Sequence, residues 1–526
     1  MPVSLCFLVY HIAVSINQLL VGNGPGGLKE YIDVYRSEPL LQGGFIWEWC
    51  NHGILKREGA MSYYAYGGDF GDKPNDADFI LDGMVYSDHT PTPGLIEYKK
   101  VIEPVTISFK KGQLEVKNHY DFSTLDHLSA SWHIVKESGN TTPVPWQLPQ
   151  IQPGESKLVS LPDGVKIGSA PYWLTVNFTL KDATAWAPQG HEIAWAQIPL
   201  FEEKQLSLPF TSFSSLTPLT ISEVAGRLYI NSDNFTSRFT YDLVRGDLSW
   251  SNESGRLFNS GPQLGIYRAL TQNDIGAGGP CAEWKRFRVE SCRMRVQSST
   301  WNVNNDGSVS VTTKVRVAPF VLEWAAAADL TYTITESSIR LHVKGDFTGT
   351  FPSVIPRLGL TIRLPRQYEA ATWFGRGPGE SYRDKKAAAR FGTFTSSLDT
   401  GLETPYEWPQ ENGNRTETRW VRVHASAAES SYAASAGATA PLPEIEARMD
   451  TPFDFSLRRY ATEELDRAKH PHELCELDGE TEFNVDFAHH GIGTGSCGPG
   501  PWEGNRLEAG PFQFTTIFRL VDGKAT

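Results

Sequence analysis

The run Phe45-Ile46-Trp47-Glu48-Trp49 opens after Gly43-Gly44 and closes into polar Asn51-His52-Gly53. Aromatic and branched side chains between a glycine pair and a polar turn read as a buried strand feeding a surface loop. In a parallel barrel, residues at such strand ends and in the loops beyond them do the chemistry. Trp47 is therefore a candidate site residue, against the alternative that its indole fills a core. The loop that follows, Tyr66 to Gly83, is dense in Gly and Asp and has no hydrophobic period, so it is neither helix nor regular strand. A long structured loop of this kind usually carries function.

The flanking pattern changes period along the chain. Leu28, Ile32 and Tyr35 stand at helical spacing and predict a helix over Leu28 to Arg36, ended by Pro39, and a second helix is expected over Pro93 to Val101 with Pro at its start. From Pro104 the period is two. Leu174, Val176, Phe178 and Leu180 alternate, and short strands recur between Gly and Pro turns up to Glu202, which predicts an antiparallel sandwich. Residues 203–216 read as a linker. Beyond Thr217 alternation resumes, with Val309, Val311, Val315 and Val317 on one face, then Leu330, Tyr332 and Ile334, then Ile339, Leu341 and Val343. One large β domain follows. The Ala/Ser-rich tract Ala425 to Ala440 reads as a surface loop, and a short helix is expected over Thr462 to Lys469 with Thr462 as its cap.

At 526 residues the chain exceeds one ordinary core, and length suggests roughly two to four domains. Its 12% aromatic content suits both sheets and sugar stacking. A net charge of −13 without a basic run argues against nucleic acid as a partner. The six cysteines lack CxxC spacing, so neither a zinc knuckle nor a disulfide framework is indicated and a reducing, cytoplasmic setting is expected. The apolar start lacks a charged leader region and is interrupted by His11, Asn17 and Gln18, which predicts neither a signal peptide nor a membrane span.

Three segments, Gly43 to Trp49, YGGDFGDKPND at Tyr66 to Asp76 and DGMVYSDHTPTPGLIEYKK at Asp82 to Lys100, together resemble the last barrel strand and following loop of glycoside hydrolase family 2 β-galactosidases. Four more blocks, at Tyr267 to Gly279, Trp373 to Asp384, Pro409 to Trp420 and His489 to Pro501, are similar to signatures of that family's large C-terminal domain and keep its order. The resemblance covers about residues 22 to 523. It implies a mainly β chain: the C-terminal remnant of a (β/α)8 barrel over 22–103, an immunoglobulin-like β-sandwich over 104–202, the linker over 203–216 and a large β-supersandwich over 217–526, with residues 1–21 outside the family pattern.

The same resemblance implies site residues. Trp47 corresponds to the family's galactose-stacking tryptophan. The Phe79 carbonyl and the Asp82 side chain fall where sodium ligands are placed, Asp82 standing where bacterial members have Asn, and an oxygen ligand of either kind suits a hard cation. Cys497 falls where bacterial members have a Trp lining the sugar site. Ile16 occupies the position of the nucleophilic Glu, with Leu19 and Val21 at the His and Met positions of that motif. The acid/base Glu and the magnesium ligands belong to the part of the family upstream of the matched region. A retaining glycosidase needs two carboxyl groups about 5 to 5.5 Å apart. Glu38, Glu48, Asp69 and Asp72 are the local carboxylates, and a solvated or structural role is expected for all four, Glu48 because strand alternation points it away from Trp47. Arg268, Asn273 and Asp274 are expected to hold a loop that supports the site, Glu411-Asn412-Gly413 to form a bracing turn, and His489 and His490 to be hydrogen-bonded and bind no metal.

The expectation is a β-galactosidase by descent, acting on terminal β-galactosides such as lactose by double displacement but inactive as this chain alone. Two alternatives stand beside it: a subunit completed by an N-terminal β-galactosidase fragment or a further copy, and a non-catalytic carbohydrate-binding β protein.

Overall fold

A computed structural model describes residues 18–19, 22–41, 43–168, 171–201, 219–232, 236–425 and 442–521. Ile16, Val21, the segment expected as a linker and nearly all of the Ala/Ser-rich tract lie outside these residues.

The N-terminal portion holds two neighbouring parallel strands and two helices. Strand β1 (Gln18–Leu19) pairs with β2 (Ile46–Trp47) in parallel register, Leu19 opposite Trp47. Parallel pairing needs a crossover, and α1 (Leu28–Ser37) supplies it. Helix α2 (Pro93–Val101) follows the loop, with the Thr92 hydroxyl accepting from the Leu95 amide and Pro93 placed where no donor is needed. The two helices span what their periodicity and prolines predicted to within one residue. On α1 only Leu28 is buried, whereas Ile32 and Tyr35 are half-exposed, because the surface they address is open among the described residues.

A three-stranded antiparallel sheet (Val105–Lys110, Gln113–Asn118, Ser156–Val159) then faces a five-stranded one whose long strands are Leu128–Lys136, Tyr172–Leu180 and Glu192–Pro199. The alternating Leu174, Val176, Phe178 and Leu180 fill the space between the sheets. The opposite face of Tyr172–Leu180 is also covered. Trp173 turns outward there and stacks on Phe391 of the C-terminal domain, ring centroids 4.1 Å apart, among Val135, Phe374 and Trp420. This aromatic contact joins the sandwich to its neighbour.

The C-terminal domain builds one core from three sheets, including a nine-stranded sheet that runs from Arg293–Val303 to Arg390–Ser397. Each valine, leucine and isoleucine assigned by alternation to the inward face is buried. The late helix forms over Thr462–Arg467, but its N-cap is Ala461. Thr462 lies one residue inside, and its hydroxyl instead donates to the buried Glu482 carboxylate at 3.1 Å, a tertiary bond that outcompetes local capping. Among the described residues no helix is long and apolar enough to cross a membrane.

Deleting the Trp173 indole would leave a void between two modules and expose Phe391. Trp173→Ala should cost about 3–5 kcal/mol. Chemical denaturation followed by tryptophan fluorescence should show a lowered midpoint.

Candidate functional site

The candidate site lies beyond the C-terminal end of β2. Its backbone is fixed by a ladder between residues 48–52 and the end of the Asp-rich loop. The Glu48 amide donates to Asp82 O, the Met84 amide to Glu48 O, the Val85 amide to Trp49 O and the His52 amide to Ile80 O, at 2.9–3.0 Å. Gly83 permits the approach, since a Cβ there would meet the Asn51 nitrogen and the Cys50 carbonyl carbon at 2.2 Å. The Asn51 side chain closes the corner, accepting from the Gly83 amide at 2.8 Å and donating to Glu407 of the C-terminal domain at 2.9 Å. Glu407 also accepts from the Ser87 amide and hydroxyl.

On this frame the Trp47 side chain is 52% exposed, so it is no core filler among the described residues. Across the ladder from Glu48, Asp82 is 2% exposed, and its Oδ1 has no hydrogen-bond partner. Burial first, then the adjacent Glu48 carboxylate, pushes the Asp82 carboxyl up to about 7. Phe79 belongs to a 3-10 turn, Ala77–Ile80, three residues earlier in the same loop. The Glu48 side chain contacts Asp82 and lies 3.3 Å from His52 Nε2. The alternation argument does not reach it, because β2 spans only Ile46–Trp47 and ends before Glu48.

Of the other local carboxylates, Asp69 and Asp72 serve the backbone. Asp69 accepts from the Tyr66 amide at 2.8 Å and lies 2.9 Å from His470 Nε2, and Asp72 accepts from the Gly68 amide. Glu38 is the C-cap residue of α1, and its own amide bonds Val34 O.

Three loops of the C-terminal domain close around this corner. In the first, buried Arg268 pairs with Asp274 at 2.6 Å, and Thr271 caps the short helix Gln272–Ile275. Asn273 passes the contact on, donating to Gly493 O at 2.8 Å and accepting from the Ser496 hydroxyl at 2.7 Å. The Gln272 side chain reaches Asp78, next to Phe79. In the second loop, Cys497 is exposed, and burial of its thiol together with the Asp82 charge pushes its pKa up. That coupling puts Cys497 in the neighbourhood of Asp82. In the third, Gln410 accepts from the Asn23 amide and Glu411 O from the Asn23 side chain. Glu411 itself binds buried Arg458. Asn412 ties the turn back on itself by accepting from the Thr404 amide.

Sequence reasoning missed the buried cluster under Asn23. Lys385 Nζ donates to Asn23 Oδ1 at 2.9 Å and to Glu380 at 3.0 Å, with the Tyr406 hydroxyl also on Glu380. The unusual lysine and glutamate inside the Trp373 to Asp384 block and just after it were the available signal. Asp384 was missed too. It accepts from the Ile492 and Gly493 amides at 2.9 Å each, and its carbonyl accepts from Gly27 at 2.7 Å.

The paired histidines have separate partners. His489 Nε2 lies 2.7 Å from Asp486, and His490 Nδ1 accepts from the Leu507 amide at 3.0 Å. Among the described residues no group of three or more His, Cys, Asp or Glu is placed to hold a metal ion. Burial holds the His490 imidazole neutral, pushed down to about 4. A folded pKa below the unfolded value gives stability that is complete above about pH 6.5 and is lost as pH falls toward 4. Unfolding measured at pH 7.5 and 4.5 should therefore show an acid loss about 2.5 kcal/mol smaller in His490→Gln than in the parent chain.

Comparison with known proteins agrees with this layout. The family described as "Beta galactosidase small chain" matches residues 231–518, "Beta-galactosidase, domain 4" matches 114–201, and "Glycosyl hydrolases family 2, TIM barrel domain" matches 18–107. The β-galactosidase of Kluyveromyces lactis is 34% identical over 509 residues, covering 94% of this chain and 45% of the yeast protein. The Arthrobacter sp. (strain B7) β-galactosidase is 32% identical, covering 95% and 49%, and that of Photobacterium profundum 29% identical, covering 95% and 48%. The chain thus spans about half the length of the curated relatives it matches. Barrel strands, sandwich and C-terminal domain follow one another as in that family, and the chain belongs to the glycoside hydrolase family 2 β-galactosidases, whose C-terminal part it carries.

Proposed function

We propose that the chain forms the sugar-binding wall and C-terminal framework of a retaining β-galactosidase that releases terminal β-D-galactose, as from lactose. The observation that carries this reading is the Trp47 indole, half-exposed at a parallel strand end, with the backbone of the next residue, Glu48, bonded to that of Asp82. An indole face offers the apolar side of a galactose ring buried area and CH contacts, while Asp82 and its loop offer oxygen atoms for hydroxyl groups. Cys497 enters from the opposite loop with a thiol, which gives an aglycone little to stack on.

A sodium site of Phe79 and Asp82, incomplete among these residues, belongs to the same reading. The unpartnered Asp82 Oδ1 is a hard oxygen donor, the Phe79 carbonyl stands three residues earlier in the same loop, and a cation there would offset the charges of Asp82 and the neighbouring Glu48. Phe79 and Asp82 would hold it, and bound sodium would supply a positive charge that orients a sugar hydroxyl. Magnesium belongs to the whole-enzyme reading, without a ligand set among the described residues. The five free thiols among the described residues support a reducing, cytoplasmic setting.

Glu48 and Asp82 do not suit the two cleaving roles. Their carboxyl groups touch, whereas a nucleophile and an acid in a retaining enzyme stand about 5 to 5.5 Å apart with the sugar between them. Galactose should bind weakly to the purified chain in calorimetry. Trp47→Ala should weaken that binding about tenfold, for loss of a stacking contact worth roughly 1.4 kcal/mol. Unchanged affinity would remove Trp47 from the site.

A second reading, a subunit completed by another chain, is favoured by the bare apolar side chains around the two strands, with Leu40 90% and Phe45 77% exposed. The chain alone should not hydrolyse a chromogenic β-galactoside. Mixed at micromolar concentration with a fragment carrying the first half of the family barrel, it should co-elute in size exclusion and gain turnover. Turnover by the chain alone that Glu48→Gln abolishes would overturn the assignment of roles.

A further inference from the structure

A cavity of about 10 Å³ lies where the end of the Asp-rich loop, the turn after β1 and the C-terminal domain meet. Gly83 and Tyr86 line it from the first, Gly22 from the second, and Gln272 and Glu407 from the third. A space of this size holds one water molecule and no substrate or cofactor. Whether such a space is wet depends on its walls, since apolar cavities stay dry and a bound water needs two to four polar partners.

The Tyr86 hydroxyl supplies the first. It is buried and has no hydrogen-bond partner in the protein. Burial first, then the charges of Glu380 and Glu407, raise its pKa well above the ordinary tyrosine value, so it keeps its proton and is a donor in search of an acceptor. The two carboxylates are close enough to act on it by charge, yet neither is within bonding range. The ring has little freedom to close that gap. The Tyr86 amide donates to Thr90 O and its carbonyl accepts from the His89 amide, both at 2.8 Å, and the ring packs edge-on against Tyr406 with centroids 6.3 Å apart.

Glu380 is already filled by Lys385, Tyr406, Thr404 and the Gly413 amide. Glu407 is not. Its Oε2 accepts from Asn51 and from the Ser87 hydroxyl, whereas its Oε1 accepts only from the Ser87 amide, which leaves one lone pair open. Gln272 Oε1 likewise holds a single bond, from Gln410. One donor and two acceptors thus border a space that a single water molecule fills.

We propose that this cavity is the binding site of one structural water, which accepts from the Tyr86 hydroxyl and donates to Glu407 Oε1 and Gln272 Oε1. The water joins the barrel remnant to the C-terminal domain. Through Glu407 and Asn51 it is also tied to the Gly83 amide, and so to the frame of the candidate site.

A crystal structure of the full chain at a resolution that places ordered waters should show one density peak there, about 2.6–3.0 Å from both Tyr86 Oη and Glu407 Oε1. Tyr86→Phe tests the same bond in solution, because the two possibilities differ in sign. Deleting a hydroxyl that holds a water should lower the urea midpoint of unfolding, whereas deleting a buried hydroxyl with no partner should raise it or leave it unchanged. The phenylalanine ring keeps the packing, so the variant should fold. A cavity without density, a peak whose contacts are too short for hydrogen bonds and mark a metal ion, or a midpoint that does not fall in Tyr86→Phe overturns the proposal.

Discussion

The site depends on a buried charge pair far from it in sequence. Lys385 and Glu380 lie within the C-terminal domain, and through Lys385 they hold Asn23, at the start of the loop leading from β1 to α1. Burial alone would raise the Glu380 pKa. The Lys385 charge and hydrogen bonds from the Gly413 amide, Tyr406 and Thr404 outweigh it, so the carboxyl stays below its ordinary range. Removing one partner of such a pair strands the other, at a cost of about 3–5 kcal/mol. The pair is a poor source of net stability and a strong source of position. Asn23 meets its donors and acceptors in one geometry only, and the turn that follows β1 is set by it.

Close backbone approach does the rest. Gly26 donates to Gly493 O, and a Cβ at Gly26 would lie 2.5 Å from the Gly493 nitrogen. Gly276 and Gly279 bear in the same way on Gly495 and Asn273. The loops that frame the candidate site are thus pressed together main chain to main chain, which is why the family-like blocks around them are rich in glycine. Glu97 on α2 adds a third tie. It is buried and accepts from the Ala387 and Ala388 amides at 2.8 Å each, so one carboxylate satisfies two donors of the C-terminal domain.

Where structure is local and periodic, the residues announce it. The valines of 309–317 and the alternating positions of 174–180 all face a core, and both barrel helices follow from their spacing and prolines. Thr462 misled because its hydroxyl had a better partner twenty residues on, and a strand two residues long gives no alternation from which to place Glu48. Trp47 could be singled out from its flanks. The coupling of Asp82 to Glu48 could not, since it depends on how two backbone segments cross. Nor could Lys385 on Asn23 or Glu407 on Asn51, each pair joined across more than three hundred residues without a shared period. Family likeness supplied the Asp82 and Cys497 assignments, which composition would not have raised.

The distance between those partners has a bearing on synthesis. The Asn23 amide waits for Gln410, 387 residues later, and Asn51 for Glu407. During translation the sandwich can close on its own contacts as it emerges, whereas the ties from Asn23 to Gln410 and from Asn51 to Glu407 cannot form until residues beyond 400 have left the ribosome. The corner that carries the candidate site is therefore fixed late, after most of the C-terminal domain has been made.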